Sequence, residues 1–223
     1  MSWERARNSE QKQQRRDAIL QAARKLFLEM EYESISLNGI AREAGFSKPN
    51  VYRYFESREE IFLVIFEELQ EAFSERLTKR ISRIRSVNPV ERIVDIWVDE
   101  VQKHPFYLKL LPQLMTSLEK NSSIHSIVEF KKSSMAALTQ LVELLNRIHS
   151  ELNVEQWTEI VQLAFALMAG VWPMTQPTEK VQQAMNIAQM DVADWQFEKL
   201  MKQGLKQLIQ GASSTTTKSK SRN

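Results

Sequence analysis

Residues 45–55 read Gly45-Phe46-Ser47-Lys48-Pro49-Asn50-Val51-Tyr52-Arg53-Tyr54-Phe55, and the order of residue types dictates how the chain passes through them. A glycine after an apolar-periodic segment suits the left-handed position that closes a helix. Ser47 suits the N-cap of the next helix, and Pro49 falls in its first turn, where a missing N–H costs little. Val51 and Phe55 lie four apart and supply one buried face. Lys48, Asn50, Tyr52, Arg53 and Tyr54 are then left outside. So many contact-making side chains on so short a helix describe an element built to touch something.

Upstream, Ile19, Ala22, Ala23, Leu26, Phe27 and Met30 recur at steps of three and four, which predicts a first helix over 17–30. Ser36 caps a second helix with the inward set Leu37, Ile40, Ala41 and Ala44. Two short helices joined by a glycine turn, behind a longer first helix, form a helix-turn-helix. In that arrangement the second short helix enters the major groove of DNA and the first braces it. Downstream, Ser57 with Glu60 makes a capping box ahead of a long fourth helix carrying Ile61, Ile65, Phe66, Leu69, Phe73 and Leu77. The basic run Arg76 to Arg85 closes that helix, where cations favour the dipole.

The composition agrees. Five glycines and six prolines in 223 residues are few chain-breakers, and 43% hydrophobic with 26% charged residues is the balance of a folded chain. Without cysteine, disulfides and thiolate metal sites are excluded, and a reducing cytoplasm is compatible. The charged amino terminus lacks the apolar core of a signal peptide, and no apolar run spans a bilayer. The segment from Ser213 to Asn223 holds Lys218, Lys220 and Arg222 and no acid, leaving 27 basic against 28 acidic residues elsewhere. Affinity for nucleic acid must therefore come from local placement, including Arg5, Arg7, Lys12, Arg15 and Arg16 in an amino-terminal arm.

Ser36, Ile40-Ala41, Ala44-Gly45-Phe46-Ser47, Val51-Tyr52-Arg53-Tyr54-Phe55 and Ser57-Arg58-Glu59 together resemble the DNA-binding segment of the TetR family of transcriptional regulators. The resemblance implies that Ser36, Arg42 and Arg58 lie near phosphates. Lys48, Pro49 and Asn50 would face base edges, with Ser47, Tyr52, Arg53 and Tyr54 completing the DNA-contacting set. Gly39 departs from the usual pattern and weakens the second helix by about 1 kcal/mol.

The remainder predicts helices over 89–103, 105–118, 124–149, 154–171, 179–187 and 191–209. His104, His125 and His149 are too dispersed for metal or nucleophilic chemistry, no phosphate-cradling loop occurs, and no catalytic constellation or cofactor site is expected. Trp97, Phe106, Tyr107, Met115, Met135, Phe165, Met168 and Trp172 are large, adaptable side chains. They suit either an ordinary core or an apolar ligand cavity with His104, Gln113, Thr116 or Gln162 as polar fixers. Ile160, Ala164, Leu167 and Val171 form one stripe; Phe197, Leu200, Met201, Gly204 and Leu208 form another. Intramolecular packing explains either stripe, whereas the resemblance implies a homodimer interface there, as a four-helix bundle reading a palindrome.

The expected organisation is all-α: a basic flexible arm (1–16), a three-helix DNA-binding head (17–60), a helical ligand-binding and dimerisation domain (61–210) and a disordered tail (211–223), about nine helices in all. The expected activity is that of a cytoplasmic homodimeric repressor released from its operator by a small, largely apolar effector. The alternative is a helical ligand-binding or interaction protein that reads no DNA.

Overall fold

The computed structural model describes the backbone of residues 2–190 and 195–220 and the side chains of residues 10–190 and 195–214. Every regular element among the described residues is helical: α1 (Ser2–Glu29), α2 (Leu37–Glu43), α3 (Lys48–Val51), α4 (Arg58–Ile81), α5 (Val90–Gln102), α6 (Pro105–Leu110), α7 (Ile124–Ile148), α8 (Val154–Met174), α9 (Glu179–Ile187) and α10 (Phe197–Lys220). A 3-10 turn at Tyr32–Ser34 precedes α2, and a single π-helical turn at Leu114–Leu118 precedes α7. No described helix is long and apolar enough to cross a membrane.

Several boundaries differ from the sequence reading, each for a local reason. Helix α1 begins at Ser2 rather than Asp17, so the backbone expected as an arm is helical. The segment expected as one helix over 105–118 breaks after Leu110. Pro112 cannot donate to residue 108, and its ring crowds that carbonyl, so the chain re-forms as the π-helical turn. Helix α10 continues past Ile209 to Lys220; Ser213 Oγ donates to the Ile209 carbonyl at 3.1 Å, and Gln156 Nε2 donates to the Ala212 carbonyl at 3.1 Å. Asp191 to Asp194, the expected start of that helix, lie outside the described residues.

The chain divides into two compact units: residues 1–68 with 113–131, and residues 69–112 with 132–223. In the first, α1 buries Ile19, Leu20, Ala22, Ala23, Leu26 and Phe27 against Ile40 and Ala41 of α2, Val51 and Phe55, and Ile61, Phe62, Ile65 and Phe66 of α4. Met30, expected on that face, lies beyond the end of α1 and is exposed. Phe27, Tyr32 and Phe62 form an aromatic cluster with centroid separations of 5.3 to 6.4 Å.

Segment 113–131 is held in this unit by polar contacts that no local periodicity announces. Tyr32 Oη lies 3.0 Å from Ser117 Oγ, and Ser57 Oγ donates to the Asn121 carbonyl at 3.0 Å. The buried Glu60 carboxylate accepts from the Glu56 N–H (2.7 Å), the Ser123 N–H (3.1 Å) and Ser126 Oγ (3.0 Å). Burial pushes this carboxyl up, but the donors from Ser123, Glu56 and Ser126 outweigh it and hold the group below the ordinary carboxylate range.

In the second unit α10 packs on α5 and α8. Trp97, Val98 and Val101 of α5, Tyr107 and Leu108 of α6, Leu145 of α7, Trp157, Val161 and Met168 of α8 and Met201 and Leu205 of α10 make the core. Lys202 bonds Asp95 at 3.0 Å and Lys206 pairs with Glu91, pinning α10 to α5 at the surface.

Candidate nucleic-acid interface

The chain turns from α2 to α3 as its residue types require. Ser36 Oγ accepts the Gly39 N–H at 3.0 Å and starts α2. Gly45 has φ of +73°, a conformation that a Cβ would strain. Ser47 occupies the N-cap of α3 in an extended conformation but makes no side-chain cap bond; its carbonyl accepts from Asn50 (2.9 Å) and Val51 (3.2 Å) instead. Regular helix ends at Val51, yet helical hydrogen bonding continues through Tyr52, Tyr54 and Phe55 in a tighter path.

Val51 and Phe55 are buried, and Arg16 of α1 places its guanidinium 5.4 Å from the centre of the Phe55 ring. With that face anchored, Ser47, Lys48, Pro49, Asn50, Tyr52 and Arg53 are exposed and Tyr54 is half-buried. Lys48 Nζ sits 5.5 Å from the centre of the Tyr52 ring, so the cation and the ring steady each other on the open surface. Ser36 and Arg42 of α2 are exposed on the same unit. Lys25 of α1 bonds Glu43 of α2 at 2.6 Å, and Arg24 of α1 pairs with Glu68 of α4. These pairs leave Arg42, Lys48 and Arg53 without a carboxylate among the described residues.

Arg58, expected beside a phosphate, is half-buried and bonded inside the head. Its Nε donates to Glu59 at 2.8 Å, and its Nη1 donates to the Tyr32 carbonyl at 3.1 Å and to the Ile35 carbonyl. The guanidinium therefore staples the connection between α1 and α2 through Nε and Nη1.

The residues expected to line a cavity do not come together as one. Trp97, Tyr107 and Met168 are fully buried, and Phe73 joins Trp97 (6.5 Å), His104 (5.8 Å) and Tyr107 (5.4 Å) in a packed aromatic cluster that Phe165 extends. Phe106 is half-buried, and Trp172 packs edge-on against Phe197 at 5.3 Å. Met115 and Met135 are 77% and 60% exposed, and Met115 belongs to the first unit. Thioethers that face solvent cannot line a closed apolar cavity. Of the expected polar fixers, His104 Nε2 lies 3.2 Å from the buried Glu100 carboxylate, which Arg80 holds at 2.8 Å. Gln113 reaches Glu33 at 3.4 Å within the first unit. Two grooves of the second unit lie elsewhere: about 450 Å³ beside Val87, Pro89, His149 and Ile209, and about 370 Å³ beside Arg80, Asp95 and Lys202.

The two apolar stripes are divided between core and surface. Ile160, Ala164, Phe197 and Met201 are buried within the chain, whereas Leu167, Val171, Leu200, Gly204 and Leu208 are only half-buried. A Cβ on Gly204 would meet Leu167 Cδ1 at 3.1 Å, so the close approach this glycine allows is between α8 and α10 of one chain. Leu163, outside the expected set, is 48% exposed on the next ridge of α8.

Two family models match successive parts of the chain. Residues 19–65 match the model of the family described as bacterial regulatory proteins, tetR family, and residues 67–216 match that of the tetracyclin repressor-like C-terminal domain. An uncharacterised HTH-type transcriptional regulator of Mycobacterium tuberculosis is 38% identical over 84 residues, 35% of this chain and 38% of that protein. The HTH-type transcriptional regulator HbdR of Aromatoleum sp. is 31% identical over 81 residues, 36% of this chain and 34% of that protein. The match thus spans little more than a third of these relatives' length. Among solved structures, FadR of Thermus thermophilus, a transcriptional repressor in complex with lauroyl-CoA, covers 88% of this chain and 94% of its own at TM-score 0.60 and 16% identity. The fatty acid degradation regulator FadR of Bacillus halodurans covers 88% and 95% at TM-score 0.54 and 21% identity. At these identities the likeness is one of fold.

Proposed function

Because the chain belongs to the TetR family of bacterial regulatory proteins, we propose that it binds an operator through α3 as a homodimer and leaves that operator when a small effector binds its second unit. The observation that carries the reading is the outer face of α3. Lys48, Asn50, Tyr52 and Arg53 are exposed above a completely buried Val51 and a buried Phe55. Such a face supplies cations for phosphates and short polar groups for base edges, the two contact classes that give affinity and sequence choice.

A head of this size reads one half-site, so a palindrome needs a second copy about 34 Å along the duplex. The half-buried Leu167, Val171, Leu200 and Leu208, with exposed Leu163, are an apolar ridge suited to an isologous contact. Effector and DNA then weaken each other reciprocally, by about 1–3 kcal/mol. The Thermus repressor's complex with lauroyl-CoA makes acyl-CoA thioesters the first compounds to test.

The deciding experiment is a binding selection of the full chain on genomic fragments. Recovery of one palindromic sequence, with loss of retention on adding acyl-CoA, supports the reading. Uniform retention of unrelated fragments, or none, favours an interaction protein without sequence reading.

A further inference from the structure

Resting on the DNA-binding reading, we infer that Arg15 of α1 joins Arg53 in a notch that takes one backbone phosphate of the duplex, so that the first helix clamps the DNA directly. Arg15, Phe46, Asn50, Arg53 and Tyr54 line a notch of about 140 Å³ in the first unit. Two arginines line this small volume and no acidic residue does. Neither Arg15 nor Arg53 makes an ion pair or side-chain hydrogen bond among the described residues. Like charges brought together without a counterion repel, and an anion between them reverses the sign of the interaction.

The neighbouring arginines show that this placement is specific. Arg16 is half-buried and turned over the Phe55 ring, anchoring α1 to the end of the α3 segment. Arg15 lies about 100° further round the helix and is exposed. One arginine therefore fixes the distance between the elements and the other is left facing the notch they create. A phosphate is the anion that fits: it accepts from two guanidinium forks, and the Asn50 amide and Tyr54 hydroxyl add donors at the same notch. Because Asn50 and Arg53 belong to the exposed face of the α3 segment, the phosphate reaching the notch is one beside the groove that α3 reads. Arg15 then supplies affinity without sequence choice.

The test uses full-length wild type, Arg15→Gln and Arg53→Gln on the fragment recovered by selection. Each substitution is expected to reduce the slope of log affinity against log salt, by up to about 0.9 for the phosphate contacted in each half-site and so by up to about 1.8 for the dimer. For Arg15→Gln, the ranking of base-substituted fragments should stay unchanged. Single methylphosphonate replacements along the backbone provide the second arm. One position in each half-site that weakens wild-type binding should weaken Arg15→Gln less, because part of the charge it removes is no longer met. An unchanged salt slope with an identical methylphosphonate profile would overturn the inference while leaving DNA binding intact, as would an altered base preference. Saturable binding of inorganic phosphate that Arg15→Gln abolishes, without any effect on DNA, would likewise reject the duplex as the ligand. Failure of the wild type itself to retain DNA would instead remove the reading on which the inference stands.

Discussion

The guanidinium of Arg58 lies 4.7 Å from the centre of the Tyr32 ring while donating to the Tyr32 carbonyl at 3.1 Å. One cation at the start of α4 thus holds both the ring and the backbone of the turn that sets α2 in place. Arg58→Ala is expected to destabilise the protein by about 2–3 kcal/mol, since hydrogen bonds from a charged donor and a stacked ring are lost together. Arg58→Lys should recover little, because an ammonium lacks the planar fork. Urea unfolding checks this; an unchanged midpoint with weakened DNA binding would return Arg58 to a phosphate role.

Lys48 and Tyr52 carry the converse expectation. Both are exposed, with Tyr52 at 49%, and their mutual contact is 5.5 Å across open surface. Lys48→Ala and Tyr52→Ala should each lower operator affinity at least about fivefold, the lower end of what one good base contact is worth. Thermal unfolding should be unchanged to within about 0.5 kcal/mol, as for surface substitutions generally. Undiminished binding in a gel shift would remove α3 from the interface.

Glu60 should make the head sensitive to acid. Its carboxyl is held below the ordinary range in the folded chain. Its contribution is therefore complete above the unfolded value of about 4.3 and is lost as pH falls through the lower folded value. Glu100, held low in the same direction by Arg80 and His104 against the upward push of burial, adds to that loss. Glu60→Gln is expected to cost about 1.5–3 kcal/mol at pH 7 and to flatten the decline of urea stability below pH 4.5. A parallel decline in variant and wild type would show that another group is responsible.

Leu163→Glu tests the outward ridge of α8. A carboxylate placed at this half-exposed leucine costs the monomer little but cannot be desolvated unpaired against a second copy. Light scattering should therefore give the mass of one chain for the variant and two for the wild type. A wild-type monomer at micromolar concentration would reject the homodimer.

Gly39→Ala probes the weakest point of α2. Gly39 sits in the first turn, where an added Cβ would stand 3.4 Å from Ser36 Oγ, and Gly39 is not in the left-handed region. The substitution is expected to stabilise the chain by about 0.5–1 kcal/mol. A lower unfolding midpoint would indicate that the contact with Ser36 disrupts the cap.

The head was readable from local order. The starts of α2 and α4, the Gly45 turn and the buried pair Val51 and Phe55 follow from rules that act within a few residues, and the same rules left Lys48, Asn50, Tyr52 and Arg53 facing outward. A motif position does not say which donors of Arg58 are already occupied; its bonds to the carbonyls of Tyr32 and Ile35, more than twenty residues away, come from tertiary structure. The apolar set divides for a related reason: Trp97, Tyr107 and Met168 are core, whereas Met115 and Met135 are exposed. Periodicity marks Met115 and Met135 as apolar, but whether an apolar side chain finds neighbours depends on which segment packs over it.

Helical class, caps, turn and the division of α3 into an anchored and an open face were decided by residue types and spacing, because a helix repeats every 3.6 residues and its ends are closed by near neighbours. Tertiary structure alone decided that segment 113–131 joins the head, that the stripes on α8 and α10 are half consumed within the chain, and that Arg15 and Arg53 line one notch. Each of these brings together residues far apart along the chain. Charge, burial and hydrogen bonding act through space, and no periodicity in the sequence encodes those distances.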